Sequence, residues 1–238
     1  MDQTAVFIDM VGKTTIDFVG NPTIDVVQGG EINGFRASVF LTASGTGQKL
    51  PPLIVFAGVP GGPVSHKVWN PKFGSSDVLH TVQKKAWCDE AVMLEWIERI
   101  WRPSISSCRL LILNSLKVHK MDTVRHELQE RSCTQVEFVP PSVTGICQPM
   151  DVAVMKPFKG HICYEKYHQS NPFPKNADER RELLSRFVSE AWGNVSGETI
   201  RKGFIRAGIM PYGPRDRSGR FRVQEVSGED APIVHPTD

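Results

Sequence analysis

Leu110-Leu-Ile-Leu-Asn-Ser-Leu-Lys-Val-His119 is the stretch that decides how this chain is laid out. Four apolar residues run without a break into Asn114, and a short polar turn follows. A continuous apolar run of this length, bounded by a turn, reads as a buried central strand. The C-terminal tip of such a strand is where α/β sheets place their chemistry. Here the tip carries an uncharged amide, Asn114, and the rest of the sequence has to explain it.

Working outward, Cys108 to Leu113 is the strand itself. Upstream, Asp89 suits a helix N-cap, and Glu90 to about Trp101 follows as a helix that Pro103 stops. Val92, Met93, Trp96, Ile97 and Ile100 recur there at helical spacing. Trp87, Trp96 and Trp101 are expected in the core, given the apolar area each ring buries. Downstream, Met121 to Arg131 reads as a helix with Val124 and Leu128 inward, and Thr134 to Val139 as the next strand. Pro140 to Pro149 carries a loop signature. Three helices are then expected, from Met150 to His168, from Asp178 to Trp192, and from Glu198 to Ala207 with Gly208 at its end.

Towards the front, Thr4 to Met10 is strand-like. Arg36 to Ala43 and Leu50 to Ala57 read as strands joined by the turn Ser44-Gly-Thr-Gly47. Pro51 and Pro52 confine the start of the second strand to a sheet edge or a strand entry. Residues 58–82 begin Gly/Pro-rich and are poorly patterned. From Gly213 onward the chain is polar and is expected to be disordered. Hairpin strands, helix, strand, helix, strand and helices make an α/β fold with a mixed sheet. There is no internal repeat.

Composition excludes several classes. The chain has 238 residues, 40% hydrophobic and 23% charged, which is ordinary for a globular protein. No run approaches the ~18 apolar residues that a membrane span needs. The N-terminus lacks a signal-peptide pattern. Five cysteines, Cys88, Cys108, Cys133, Cys147 and Cys163, are widely spaced. Their odd number argues against a disulfide framework and for a reducing compartment. A formal net charge of +2 permits nucleic-acid binding without arguing for it.

Three polar residues are candidates for chemistry: Asp2, Asn114 and Asp151. Taken singly each is ordinary. Asp151 is a first-turn acid that suits a helix N-terminus, Asp2 a terminal residue, Asn114 a turn former. His119 reads as a turn or helix-entry histidine, with a substrate-phosphate role as the alternative. Lys156 and Lys159 flank Phe158 on a helix and read either as a solvated face or as contacts to a nucleic-acid backbone.

The order and spacing of these residues, together with several flanking stretches, resemble the catalytic domain of the pogo/Tigger-type transposases. These are DDE superfamily endonucleases, Tc1/mariner-like, with a ribonuclease-H-like fold. Met1-Asp-Gln-Thr4 resembles the first-acid motif. Arg36 to Gly58 resembles the hairpin, and Leu110-Leu-Ile-Leu-Asn-Ser115 the strand that ends in the second acid. Val139-Pro-Pro-Ser-Val-Thr144 with Gln148-Pro-Met-Asp-Val-Ala-Val-Met-Lys-Pro-Phe-Lys159 resembles the third-acid motif. Trp192, Glu198 to Phe204, and Ala207-Gly-Ile209 resemble the helical tail.

The resemblance implies a mixed sheet flanked by helices over residues 1–212, with a disordered tail over 213–238. It implies three carboxylates that hold two Mg²⁺ (or Mn²⁺) ions about 3.5–4 Å apart, with the acid positions falling on Asp2, Asn114 and Asp151. It implies DNA as partner, with Lys156 and Lys159 towards the backbone, a nuclear location, and room for a homo-oligomer. The family's pattern sets a strand ahead of the first acid and a helix-turn-helix ahead of that. A chain that opens at the motif is expected to be either a fragment of a longer reading frame or a decaying copy, with a truncated first strand and, without the helix-turn-helix, no sequence-specific grip on transposon ends.

Position 114 departs from the pattern. An amide oxygen can touch a metal but brings no charge. A unit charge at about 4 Å is worth on the order of 4 kcal/mol at an effective dielectric of 20. That is roughly three decades in rate. The expectation is a nucleic-acid-binding, transposase-derived domain that is catalytically impaired. The alternatives are an active Mg²⁺-dependent endonuclease or strand-transfer enzyme with Asn114 as ligand, and a domesticated interaction module that uses the fold as scaffold.

Overall fold

The computed structural model describes residues 1–7, 36–162, 167, 170–172 and 174–210. The hairpin predicted from its alternation is present. Strands β2 (Arg36–Leu41) and β3 (Leu53–Ala57) are antiparallel, with Ala37 opposite Phe56 and Phe40 opposite Leu53. At the turn, the Ser44 N–H donates to the Gln48 carbonyl (2.9 Å) and the Gly47 N–H to that of Ser44 (3.0 Å). Pro51 and Pro52 stay outside β3, as missing donors require.

Strand β1 (Asp2–Phe7) runs antiparallel along the other edge of β2, with Asp2 opposite Leu41 and Phe7 opposite Arg36. Asp2 therefore opens its strand. The expected continuation to Met10 lies outside the described residues. On the far side of β3 a parallel strand, β4 (Leu79–Gln83), completes a sheet of order β1-β2-β3-β4. Strands β5 (Arg109–Asn114) and β6 (Thr134–Val139) form a parallel pair. The Met1 nitrogen donates to the Ile112 carbonyl at 3.1 Å, which sets β1 beside β5. The four-stranded sheet and the parallel β5–β6 pair thus meet at the start of β1. This is a mixed α/β sheet flanked by helices, as the resemblance implied.

Strand alternation divides the core into two faces. Val39, Leu41, Ile54 and Phe56 point to one, where they meet Phe158 of α6 (Met155–His161), Leu184, Val188 and Trp192 of α7 (Ala177–Asn194), and Ile200 of α8 (Gly197–Arg206). Phe40, Leu53 and Val55 point to the other. There they meet Trp96 of α2 (Glu90–Trp96), together with Val124 and Leu128 of α4 (Asp122–Gln129). The Asp89 side chain caps α2 by accepting from the Val92 N–H at 3.0 Å. The helix then continues through a π-helical turn, Ile97–Trp101, into α3 (Arg102–Ser104), so the chain leaves it one residue after Pro103.

Several expectations need correction. Residues 58–82 are not patternless: they hold α1 (Pro63–Val68) and β4. Strand β5 is buried on one face only. Leu111 and Leu113 are in the core, while Leu110 is 55% exposed and Ile112 half-buried. Trp87 is 57% exposed, with the Arg36 guanidinium 5.0 Å from its ring centre. The loop before Gln148 contains a short helix, α5 (Thr144–Cys147). The helix expected from Met150 to His168 is in its described part a π-helical turn, Met150–Val154, followed by α6, with Ile162 after it extended; residues 163–166 and 168 lie outside the described residues. Cys108 and Cys133 form a disulfide between the feet of β5 and β6, against the reading of the cysteine count. Parallel pairing of two strands that each follow a cysteine brings those residues together, which an odd count cannot reveal. Cys163, the boundary at 212/213 and the tail 213–238 lie outside the described residues. No described helix is long and apolar enough to cross a membrane.

Candidate functional site

The tip of β5 and the start of β1 meet because the two strands run side by side. The Asn114 Nδ2 donates to Asp2 Oδ1 at 3.3 Å, and the Asn114 Oδ1 accepts from the Leu116 N–H at 3.3 Å. Only this orientation of the amide gives both bonds, so the network fixes which end faces the carboxylate. The Ser115 hydroxyl donates to the Val139 carbonyl at 2.7 Å and ties the exit of β5 to the end of β6.

Asp2 is buried, and its pKa is pushed up to about 6, first by that burial and then by the negative charge of Asp151. The Gln3 N–H, the Met1 ammonium and the Gln148 amide oppose the shift. Gln148 is itself buried. Its amide is near enough to favour the charged carboxylate, yet neither of its polar atoms reaches hydrogen-bond geometry. Asp151 is exposed in the π-helical turn Met150–Val154. The structure therefore gathers the three sequence-predicted positions, Asp2 and Asn114 in direct contact and Asp151 within electrostatic reach.

Behind Asn114 sits His119, in the 3₁₀ turn Lys117–Lys120. It is fully buried, and its Nδ1 lies 3.1 Å from the Asn114 carbonyl. A carbonyl oxygen only accepts, so the proton sits on Nδ1. Burial pulls the ring's pKa below its usual value and keeps it neutral. Its Nε2 has no hydrogen-bond partner among the described residues. The imidazole thus braces the strand tip from behind, its Nδ1–H on the Asn114 carbonyl.

The turn that carries Asp151 is held by α8. A Cβ on the buried Gly203 would stand 2.9 Å from the Pro149 carbonyl oxygen and 3.1 Å from the Ala153 Cβ, so only glycine permits this close approach. Lys156 and Lys159 are exposed on α6, one turn apart, while Phe158 between them is buried. A cleft of about 720 Å³ opens beside Asn114, with Gln3, Arg36, Trp87, Asp89, Glu90 and Lys117 among its walls.

Sequence reasoning passed over Gln148, Gly203 and the Arg36–Trp87 pair. The first two stand in stretches already quoted as motifs, Gln148 beside Pro149 and Gly203 before Phe204. Arg36 and Trp87 meet only through the fold.

No group of three His, Cys, Asp or Glu side chains converges as a metal site among the described residues. At the strand tip the donors are two carboxylates and an amide, and the amide nitrogen already occupies one oxygen of Asp2.

Comparison with known proteins gives the family. Residues 35–204 match the family described as DDE superfamily endonuclease, a span that contains Asn114 and Asp151 and begins after Asp2. The chain is 24% identical over 224 residues to a "Pogo transposable element with KRAB domain" protein of Mus musculus and equally to its counterpart in Homo sapiens. Each alignment covers 87% of this chain and 34% of the relative, so the chain spans about a third of their length. No solved structure matches it. The family match over most of the chain, joined to the mixed sheet and its strand-tip residues, shows that the chain belongs to the DDE superfamily endonucleases, with relatives among the pogo transposable element proteins.

Proposed function

We propose that this is a transposase-derived DDE domain that engages DNA in the nucleus and whose phosphodiester chemistry is impaired at Asn114. The observation that carries the reading is the Asn114 Nδ2 donating to Asp2 Oδ1 at 3.3 Å. Where a second acid would add charge, an amide turns its hydrogen towards the first. A pair of divalent cations such as Mg²⁺ or Mn²⁺ is held by hard, charged oxygens. Two carboxylates with one oxygen engaged by an N–H do not fit such a pair. The raised pKa of Asp2 works in the same direction, because a proton competes for the same oxygen.

Engagement of DNA is supported separately by cations on α6 and in the cleft beside Asn114. Lys156 and Lys159 project from the helix that follows Asp151, and Arg36 and Lys117 line the cleft beside Asn114. Contacts of this kind release counterions and make affinity fall steeply with salt.

The test is a labelled DNA duplex incubated with the protein and with Asn114→Asp, scored for retardation and for Mg²⁺-dependent nicking. Both proteins should bind, and less well as salt rises. Asn114→Asp should nick on the order of a thousandfold faster, the factor that one missing charge supplies. Equal nicking by the two proteins would remove the impairment, and absence of retardation at low salt would remove the DNA reading.

A further inference from the structure

Trp87 is held out of the core by a turn that three side-chain contacts fix in place. The turn joins β4 to α2. The Gln83 Oε1 accepts from the Lys85 N–H at 2.7 Å and from the Trp87 N–H at 3.1 Å. The Ser38 hydroxyl, from the middle of β2, donates to the Ala86 carbonyl at 2.6 Å, and that bond is buried. Ala86 itself has a φ of 55°, a left-handed conformation that a residue with a Cβ adopts at a cost. Strain of this kind persists only where the surroundings impose it, and it gathers at functional sites. Here it turns a large aromatic outward, for Ala86 is buried and Trp87 next to it is 57% exposed.

The same strand supplies a cation to the ring. Arg36 and Ser38 are two residues apart in β2 and so share a face. While Ser38 pins the turn, the Arg36 guanidinium lies 5.0 Å from the Trp87 ring centre. Among the described residues Arg36 forms no ion pair, and its Nε has no hydrogen-bond partner. One guanidinium covers one face of an indole and leaves the other open. Both side chains line the cleft of about 720 Å³ beside Asn114, together with the exposed Lys117. That volume is in the range of ligand pockets, about 300–1,000 Å³. The two acids of the cleft are already engaged. Asp89 caps α2 through the Val92 N–H at 3.0 Å, and Glu90 accepts from the Thr123 hydroxyl. The cleft therefore offers an incoming group one flat aromatic face and two cations.

We infer that this cleft takes an unpaired nucleobase of DNA, stacked on the open face of Trp87, with its phosphate against Arg36 and Lys117. The inference rests on the DNA reading above and adds a site to it. A fixed aromatic face beside cations is the combination that binds unpaired strands, because every base has a π-face and every nucleotide a phosphate. Within a duplex both faces of a base are covered by its neighbours, so the open ring selects a base that has left the stack. Asn114 lines the same cleft, so a base lodged there holds its strand beside the tip of β5. Extrusion of a base costs stacking and pairing, which the ring returns in part. A free nucleotide carries the same chemistry, and the experiment separates the two sources.

The experiment uses the whole chain and fluorescence anisotropy with three labelled duplexes of one sequence. One is fully paired, one carries an extra unpaired thymidine, and one has an abasic residue in place of that thymidine. The unpaired thymidine should tighten binding about tenfold or more over the paired duplex. The abasic duplex should lose that gain, a change that leaves the protein untouched. Trp87→Ala should lose the same gain while binding the paired duplex as before, and Trp87→Phe should keep most of it. Equal affinity for the thymidine and abasic duplexes would overturn the site and leave DNA engagement standing. A gain that survives Trp87→Ala would put the base elsewhere and overturn it equally. Thymidine monophosphate that competes as well as the thymidine duplex would assign the cleft to a free nucleotide and overturn a DNA occupant. Binding of none of the three duplexes at low salt would remove the DNA reading itself, and this site with it.

Discussion

Asn114 is held to Asp2 by a bond that an ionised aspartate could not make, because its Nδ2 is the donor, 3.3 Å from Asp2 Oδ1. Asn114→Asp would remove that donor and set two carboxylates against each other. Loss of a hydrogen bond to a charged group costs about 1.5–3 kcal/mol, and the like charges add to it until one of them takes a proton. The substituted protein should therefore be about 2–3 kcal/mol less stable at pH 8. Millimolar Mg²⁺ should return much of that loss while leaving the unmodified protein nearly unchanged. Urea unfolding with and without Mg²⁺ measures both quantities, and equal stability of the two proteins without metal would show that the contact carries no weight.

The pH dependence of stability should bear the mark of Asp2. Its pKa of about 6 in the folded protein stands above the ordinary aspartate value of 3.8 because burial, and then Asp151, disfavours the charged form. Between those values the folded protein holds the proton more tightly than the unfolded chain. The contribution of Asp2 to stability is thus greatest at low pH, falls as pH rises from about 4 to 6, and is flat above. A shift of about two units corresponds to about 3 kcal/mol. Asp2→Asn removes this titration, so its stability relative to the unmodified protein should rise by about 2–3 kcal/mol between pH 4 and pH 7. A difference that stays constant over that range would mean that the carboxylate is well solvated.

His80 should act in the opposite sense. It is buried on β4, with its Nε2 2.8 Å from the Ser185 hydroxyl, and burial followed by the charge of Arg99 lowers its pKa to about 4. From pH 6.5 down to 4 the unfolded chain binds the proton and the folded one resists it, so stability falls as the solution is acidified. The loss approaches about 3 kcal/mol at the lower end. With His80→Gln the slope over this range should flatten, at the cost of a lower plateau at neutral pH, where the ring's packing against Phe73 is missed. Thermal unfolding at half-unit steps of pH would separate the two effects.

The readable parts of this chain were those with local signals. The β2–β3 hairpin announced itself through alternation and Ser44-Gly-Thr-Gly47, and the α2 start through Asp89, whose side chain does cap Val92. Motif spacing singled out Asp2, Asn114 and Asp151, and the fold brings Asn114 and the charge of Asp151 to Asp2. What stayed hidden depended on partners remote in sequence. Strand β4 was missed because two of its buried residues are polar: His80 meets Ser185, and the Thr81 hydroxyl donates to Glu95 at 2.6 Å, which erases the apolar alternation. Trp87 was misplaced because its exposed ring is covered by Arg36, from a strand far off in the chain. The half-open face of β5 was unreadable for a similar reason. Leu110 and Ile112 look like core residues, and only the fold shows that they line a groove of about 680 Å³ instead.

Gly203 offers a way to move Asp151 without touching any of the three strand-tip positions. A methyl group there would stand 2.9 Å from the Pro149 carbonyl oxygen and 3.1 Å from the Ala153 Cβ, both in or next to the turn that carries Asp151. Backbone cannot swing aside as a flexible side chain can, so Gly203→Ala should cost about 1–3 kcal/mol through overpacking and push the turn away from α8. Asp151 raises the pKa of Asp2 through its charge. A change in their separation should therefore shift the Asp2 midpoint from its value of about 6, downwards if the turn retreats from β1. Carboxyl-carbon NMR of the labelled protein reads that midpoint directly. Gly193→Ala serves as the control, because a methyl group on Gly193 meets nothing within 4 Å, and it should leave the midpoint where it was. If Gly203→Ala also left both stability and midpoint unchanged, the close approach of α8 would not be what positions Asp151.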